Sequence, residues 1–441
     1  MFKWLAEAPD KPLIQDAGKV DQLYHYWRIN ILLTTYVGYA VFYFTRKSFN
    51  FVMPSMLDDL GLQPADVGML GTAFYLTYGA SKFLSGILSD KANPRYFMGL
   101  GLIATGIINI FFGLASSLFV LMTLWILNAF FQGWGWPPCS RLLTTWFSRG
   151  ERGLWWSLWN TSHNLGAALI PLLAGVLATH WGWRYGMVVP GMLAVVIGLV
   201  LCWRVRDRPR SLGLPSVGEW KQDQAELVQE QDGKGLPLGT VLRVYVLGNR
   251  YIWLLALAYV LVYVVRTALN DWGNLYLMRE HGYTLVSANS VVSLFEVGGF
   301  IGTLVAGWGS DKLFRGNRGP MNVLFAIGVL ASILLLWWLP TQHFSLLGGC
   351  FFLIGFFIFG PQMLIGLAAA EASHKDAAGA STGFVGLFAY MGAALAGYPI
   401  ARVLDGWAWP GFFTVLTVAA LLTVLLLAPL IKARGAGTQP G

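Results

Sequence analysis

Twelve times along this chain an apolar stretch continues for about the length needed to cross a bilayer, which takes roughly 20 residues in a helix. In lipid the backbone has no water to bond to, so each such stretch must be helical and satisfy its own N–H and C=O groups. The pattern predicts spans at 29–53, 67–89, 96–115, 117–139, 154–178, 184–203, 251–272, 287–309, 319–339, 344–370, 379–401 and 408–431. Only 12% of the residues are charged and 56% are apolar, against about 25% charged in soluble domains. The expected fold class is an all-α membrane protein of about twelve transmembrane helices.

The first residues, MFKWLAEAPDKPLIQDAGKV, carry charge and proline where a cleavable leader needs an apolar core, so the first span is expected to stay as an anchor. Cys139, Cys202 and Cys350 fall in or at the ends of apolar stretches and show neither a disulfide pattern nor metal-ligand spacing. Neither a metal nor a cofactor is expected. Of the 30 Lys and Arg residues, 23 lie in the two tails and the even-to-odd connections, whereas the opposite connections hold Arg184, Arg279 and Arg402. That asymmetry predicts cytoplasmic N- and C-termini in a bacterial inner membrane. It also accounts for the formal charge of +8 without a nucleic-acid partner.

The longest polar stretch, 204–250, divides the chain into tail 1–28, a six-helix half 29–203, a linker, a second six-helix half 251–431 and tail 432–441. The halves repeat. Gly86-x-x-x-Asp90-Lys91 returns as Gly307-x-x-x-Asp311-Lys312 at an offset of 221, Arg46 as Arg266 at 220, and Gly182-Trp183 as Gly406-Trp407 at 224. Small loop insertions explain the drift, and the two pseudo-symmetric halves point to duplication. The glycines Gly86 and Gly307 allow close helix approach. Asp90 and Asp311, at helix ends, can hold a conformation by pairing with basic groups or helix N-termini, or simply end their helices at the interface.

Seven ionisable groups sit well inside the spans: Arg46, Lys47, Lys82, His163, Arg266, Asp271 and Glu296. A charge at a helix centre costs about 2.5–3.5 kcal/mol on insertion scales, so such residues normally face a cavity and mark a solute path. Arg46 and Lys47 are late in span 1, where snorkelling would also serve them; Arg266 is well inside span 7. The two arginines, equivalent by the repeat, are expected to converge on one small anion. A guanidinium offers a planar fork for phosphate oxygens, and a phosphate monoester carries about −1.5 to −2 charges near neutrality, which two arginines balance. Lys82 adds a third donor or assists entry.

His163 lies in the polar cluster Asn160-Thr-Ser-His163-Asn164, where a group titrating near neutrality either contributes charge to the site or bonds a neighbouring helix. Asp271 and Glu296 are expected to pair with Lys47 or Arg266. Tyr39 and Tyr43 precede Arg46 by seven and three residues, and Tyr263 precedes Arg266 by three, which puts each near its helix's arginine face.

Parallel duplication of six-helix halves, with Gly-x-x-x-Asp-Lys after spans 2 and 8, resembles the major facilitator superfamily, in which solute sites lie near the bilayer midplane between the halves. The finer motifs resemble its organophosphate:phosphate antiporter family, and within it a hexose-phosphate sensing branch, over nearly the whole chain. They include Gly38-Tyr39-Ala-Val-Phe-Tyr43-Phe-Thr-Arg46-Lys47-Ser-Phe-Asn50, Ser81-Lys82-Phe, Gln132-Gly133-Trp-Gly-Trp136-Pro-Pro-Cys139, Trp159-Asn160-Thr-Ser-His163-Asn, Val265-Arg266-Thr-Ala-Leu-Asn-Asp271 and Phe384-Val-Gly-Leu-Phe-Ala-Tyr390. The resemblance implies that Arg46 and Arg266 clamp phosphate, that Lys82 and His163 line the site, and that Tyr39, Tyr43, Asn160, Tyr263 and Tyr390 border it. It further implies glucose 6-phosphate as ligand and inorganic phosphate as exchange partner. One departure stands out: hexose-phosphate transporters of the family place an acid and a base in span 11, yet 379–401 carries none before Arg402.

Two functions follow as expectations, a sensor that passes ligand occupancy to a membrane histidine kinase, or a hexose-phosphate:phosphate exchanger. A membrane enzyme is not expected, because the sequence has no Walker loop, zinc motif or recognisable nucleophile–base pair.

Overall fold

Prolines, glycines and asparagine caps decide where the helices of this chain begin and break. The structure, a computed structural model, describes residues 8–89, 92–223, 241–314, 317–339, 343–372 and 378–431. Its principal helices are α1 (Ala17–Leu60), α2 (Pro64–Ser89), α3 (Pro94–Leu114), α4 (Leu118–Gln132), α5 (Trp136–Trp146), α6 (Arg149–Trp181), α7 (Trp183–Arg204), α8 (Val217–Lys221), α9 (Arg250–His281), α10 (Leu285–Lys312), α11 (Arg318–Trp338), α12 (Phe344–Glu371), α13 (Ala378–Leu395) and α14 (Tyr398–Leu427). No strand occurs among the described residues. Asn93 starts α3 by accepting from Arg95 N–H at 3.1 Å, and Asn317 starts α11 by accepting from Gly319 N–H, also at 3.1 Å; the duplication therefore extends to the caps. The fourth span breaks after Gln132, and α5 restarts with proline in its first turn, where a missing N–H costs nothing. Ala408, at φ 50°, divides α14 into two helices just before Pro410, which separates the eleventh span from the twelfth.

Nine helical stretches among the described residues are long and apolar enough to cross a membrane, and one of them, Ser381–Ile431, contains two helices. The protein is an all-helical, multi-pass membrane protein. Helix α1 begins twelve residues before the apolar stretch it carries, because hydropathy reports contact with lipid and says nothing of a helix's polar extension.

The chain forms two compact units. Unit 1 takes the described residues within Met1–Phe49, Ala80–Ile170 and Arg184–Gly235; unit 2 takes those within Asn50–Gly79, Pro171–Trp183 and Leu236–Gly441. In unit 1, α3 and α7 meet at glycines. A Cβ on Gly106 would lie 2.6 Å from Gly191 O, and one on Gly191 would lie 2.7 Å from Gly106 O, so only glycine permits that approach. The unit's core gathers Tyr24, Trp146, Phe147, Trp159, Leu201, Val205 and Leu214. Part of the polar stretch after α7 belongs to this core. Ser216 and Glu219 form a capping box at the start of α8, Trp220 stacks on Tyr24 at 4.1 Å, and Tyr24 Oη donates to Pro215 O at 2.6 Å. The strap before α1 binds the same stretch through Lys11 N–H to Arg210 O (3.0 Å) and Ile14 N–H to Gly213 O (2.9 Å).

In unit 2, α10 and α12 pack closely where a Cβ on Gly302 would reach within 1.9 Å of Phe356 O. Pro54 interrupts α1, and its missing N–H takes away the donor for the carbonyl four residues earlier. That carbonyl, Asn50 O, accepts from Asn274 Nδ2 of α9 at 2.9 Å, and the adjoining Phe51 O accepts from Asn289 Nδ2 of α10 at 3.0 Å. An asparagine from the second half of the sequence thus restores the bond that a proline removed from the first, and a second asparagine bonds the next carbonyl.

Candidate functional site

Each unit holds one arginine in the same local setting. In unit 1, α1 carries Tyr39, Tyr43, Arg46 and Lys47, all buried. The Arg46 guanidinium lies 4.5 Å from the Tyr43 ring centroid, and its Nε donates to Gln132 Oε1 at 3.2 Å. Gln132 is the last residue of α4, and the break that follows leaves it where its amide also donates to Thr45 Oγ1 at 2.9 Å and Phe42 O at 3.2 Å. The glutamine is held at both ends and fixes the orientation of the guanidinium.

The rest of the unit 1 cluster comes from α2 and α6. The Tyr43 ring is 5.7 Å from His163, and Tyr39 is 5.9 Å from Tyr43 and 4.9 Å from Trp159. His163 Nδ1–H donates to Asn160 O, since a carbonyl only accepts. Lys82 places its ammonium 5.2 Å from the Trp136 ring. Close approach of α2 to the α4 break sets that position, with Ser81 Oγ donating to Phe130 O and Ser85 Oγ to Gly133 O.

In unit 2, α9 carries Tyr259, Tyr263, Arg266 and Asp271. The Arg266 guanidinium lies 5.5 Å from the Tyr263 ring and 4.8 Å from Phe359 of α12. Tyr263 meets Tyr259 at 4.9 Å and Tyr390 of α13 at 5.9 Å. The same Arg-over-Tyr pair, three residues apart on one helix, therefore occurs once in each unit. Aromatic faces attract the cation without neutralising it.

The two acids are each held by a neighbouring side chain. Glu296 on α10 accepts from Asn270 Nδ2 at 3.2 Å, and Asp271 accepts from Tyr75 Oη at 2.7 Å. Gly307 is in α10, and a methyl group placed on it would have Met363 Cε as its nearest neighbour, 3.6 Å away. Gly86 is in α2 and Asp311 in α10, though the surroundings of Gly86, the side chain of Asp311 and the whole of Asp90 lie outside what is described. Among the described residues no three His, Cys, Asp or Glu side chains gather as a metal site.

Gln132, Phe359 and Tyr75 were not singled out from the sequence. The readable signal for Gln132 was a polar pair four residues apart, Asn128 and Gln132, inside an otherwise apolar span. Phe359 and Tyr75 carry none, because an aromatic in a membrane helix is ordinary.

The Major Facilitator Superfamily model matches residues 35–397. The chain belongs to the major facilitator superfamily. Among its superfamily relatives, the membrane sensor protein UhpC of Escherichia coli is 60% identical over 98% of this chain and 99% of that protein. A probable hexose phosphate transport protein of Chlamydia trachomatis is 50% identical over 94% and 93%, and a glycerol-3-phosphate transporter of Bacillus subtilis 36% over 94% of each. These bear out the organophosphate-antiporter resemblance read from the motifs. The superfamily fold is also that of a solved bacterial homolog of the human lysosomal transporter Spinster, with a TM-score of 0.69 at 17% identity over 92% of this chain and 95% of that one.

Proposed function

We propose that this protein is an inner-membrane sensor of external hexose phosphate, with glucose 6-phosphate as ligand, and that it passes occupancy to a membrane histidine kinase. The observation that carries the ligand class is the repeated Arg-over-Tyr pair, Arg46 with Tyr43 and Arg266 with Tyr263. Two guanidiniums match the charge of a phosphate monoester, whereas a monocarboxylate needs one and a cation is repelled. Both arginines donate to the phosphate; Lys82 and His163 line the site, and Asn160, Tyr39, Tyr43, Tyr263 and Tyr390 border it. Lys47, Asp271 and Glu296 complete the intramembrane charge network, and Gly86, Asp90, Gly307 and Asp311 set the conformational equilibrium at the basic side of the membrane. Both termini are cytoplasmic, a reading supported by 23 basic residues on that side against three on the other.

The 60% identity to a membrane sensor protein supports the signalling half of the proposal, as does the absence of any charge in Ser381–Ile400, where the exchangers resembled by this chain place an acid and a base. A sensor needs only different affinities in two conformations. The exchanger reading is favoured by a different observation, the 50% identity to a probable hexose phosphate transport protein. Liposomes separate the two. Phosphate-for-glucose 6-phosphate exchange is measured in one arm, and autophosphorylation of a co-reconstituted cognate kinase in the other. A kinase response with slow exchange is expected; fast exchange with no kinase response would leave the exchanger.

A further inference from the structure

A second feature of unit 1 lies on the face of α1 turned away from Arg46. Val37 precedes Arg46 by nine residues, which is two and a half turns and so half a turn around the helix. There α1 and α7 enclose a groove of about 570 Å³ lined by Tyr26, Ile29, Leu33 and Val37 of α1 and by Val200 and Arg204 of α7. Leu33 is 58% exposed and Val37 46%, so among the described residues nothing covers this end of the groove.

Its polarity runs along its length. The apolar end is Leu33 and Val37; the polar end is His25, Asn30 and Arg204. From His25 to Val37 the wall is twelve residues, about 18 Å at the helical rise, close to the roughly 15 Å of one hydrocarbon leaflet. Asn30 Nδ2 donates to Arg204 O at 3.1 Å and holds the two helices together at the polar end. Two further arginines gather around the same helix end. Arg95 donates to Cys202 O, and Arg206 Nη1 donates to Trp203 O at 2.8 Å while its guanidinium lies 4.9 Å from the Trp27 ring. Of the acids near this end, Asp21 lies 3.5 Å from His25 Nδ1, and Asp207 is engaged by Ala8 N–H at 2.8 Å and Arg208 N–H at 3.0 Å. Burial and the repulsion of Arg95 hold the Arg206 guanidinium below the ordinary arginine range. An anion at this point relieves that repulsion.

We propose that the α1–α7 groove binds one anionic phospholipid, its acyl chain along Leu33 and Val37 and its phosphate at Arg204, with Arg206 and Arg95 adding charge. The length match requires a chain as well as a headgroup, which a free anion lacks, and a zwitterionic headgroup would bring its own cation towards three guanidiniums.

Native mass spectrometry of the full-length protein in detergent, titrated with phosphatidylglycerol or phosphatidylcholine, tests this. Phosphatidylglycerol is expected to bind more tightly. Arg204→Gln should lower its affinity about fivefold, one basic residue's share of the attraction to an anionic surface, and leave phosphatidylcholine unchanged. Leu33→Trp, which fills the apolar end at an exposed position, should weaken both lipids. Equal binding of the two lipids by the wild type, or an unchanged phosphatidylglycerol affinity in Arg204→Gln, would overturn the proposal. Displacement of phosphatidylglycerol by inorganic phosphate would do so too, since it marks a soluble-anion site.

Discussion

A guanidinium within a membrane helix carries a cost of about 2.5–3.5 kcal/mol, and groups around Arg46 and Arg266 offset part of that cost. Tyrosine and phenylalanine rings and, for Arg46, an amide oxygen are among them. Gln132 is the informative one. Replacing it with glutamate keeps the size and the acceptor but supplies a carboxylate to Arg46 that competes with phosphate. Gln132→Glu should therefore bind glucose 6-phosphate about tenfold or more weakly, a loss of ~1.4 kcal/mol, with a melting temperature near that of the wild type. Titration calorimetry on the purified protein reads the first and differential scanning fluorimetry the second; wild-type affinity in the variant would remove Gln132 from the site. The arginines and their tyrosines were legible in the sequence because charge inside an apolar span is rare and the i−3 spacing is local. Gln132 meets Arg46 at the point where α4 breaks, and the geometry of a break is not written in spacing alone.

At the scale of the element, the all-helical, multi-pass character was legible in hydropathy, while two features of the helices were not. Residues 204–250 read as a linker, yet Val217–Lys221 is helical and Trp220 stacks on Tyr24, nearly two hundred residues away. A polar composition reports exposure to water and is silent on such a long-range partner. The second feature is the repair of α1 at Pro54. A proline in a membrane helix leaves a carbonyl without its donor, and Asn274 supplies one to Asn50 O while also donating to Asn289 Oδ1 at 3.1 Å. Asn274→Ala leaves that buried carbonyl bare, which costs about 1–3 kcal/mol. Its melting temperature in detergent should fall by several degrees. The double variant Asn274→Ala, Pro54→Ala should recover part of the loss, because alanine returns the helical N–H. A double variant no more stable than the single one would show that the asparagine serves something other than the proline's gap.

At the scale of the whole molecule the duplication is the organising fact, repeated in the offsets of 220 to 224, in the asparagine caps of α3 and α11, and in an Arg-over-Tyr pair three residues apart on one helix in each unit. Two equivalent cations from two halves suit a ligand that carries about two negative charges at one end, and a protein that binds such a ligand differently in two conformations can report on it whether or not it also transports. The claim on which this rests is that both arginines hold the phosphate through the planar fork of the guanidinium. Lysine keeps the charge and loses the fork, so the direct measurement is calorimetric titration of glucose 6-phosphate into purified Arg46→Lys and Arg266→Lys, with glucose as the control lacking phosphate. Each variant should bind glucose 6-phosphate at least about fivefold more weakly than the wild type, and glucose should bind none of the three measurably; wild-type affinity for glucose 6-phosphate in both variants would contradict the account.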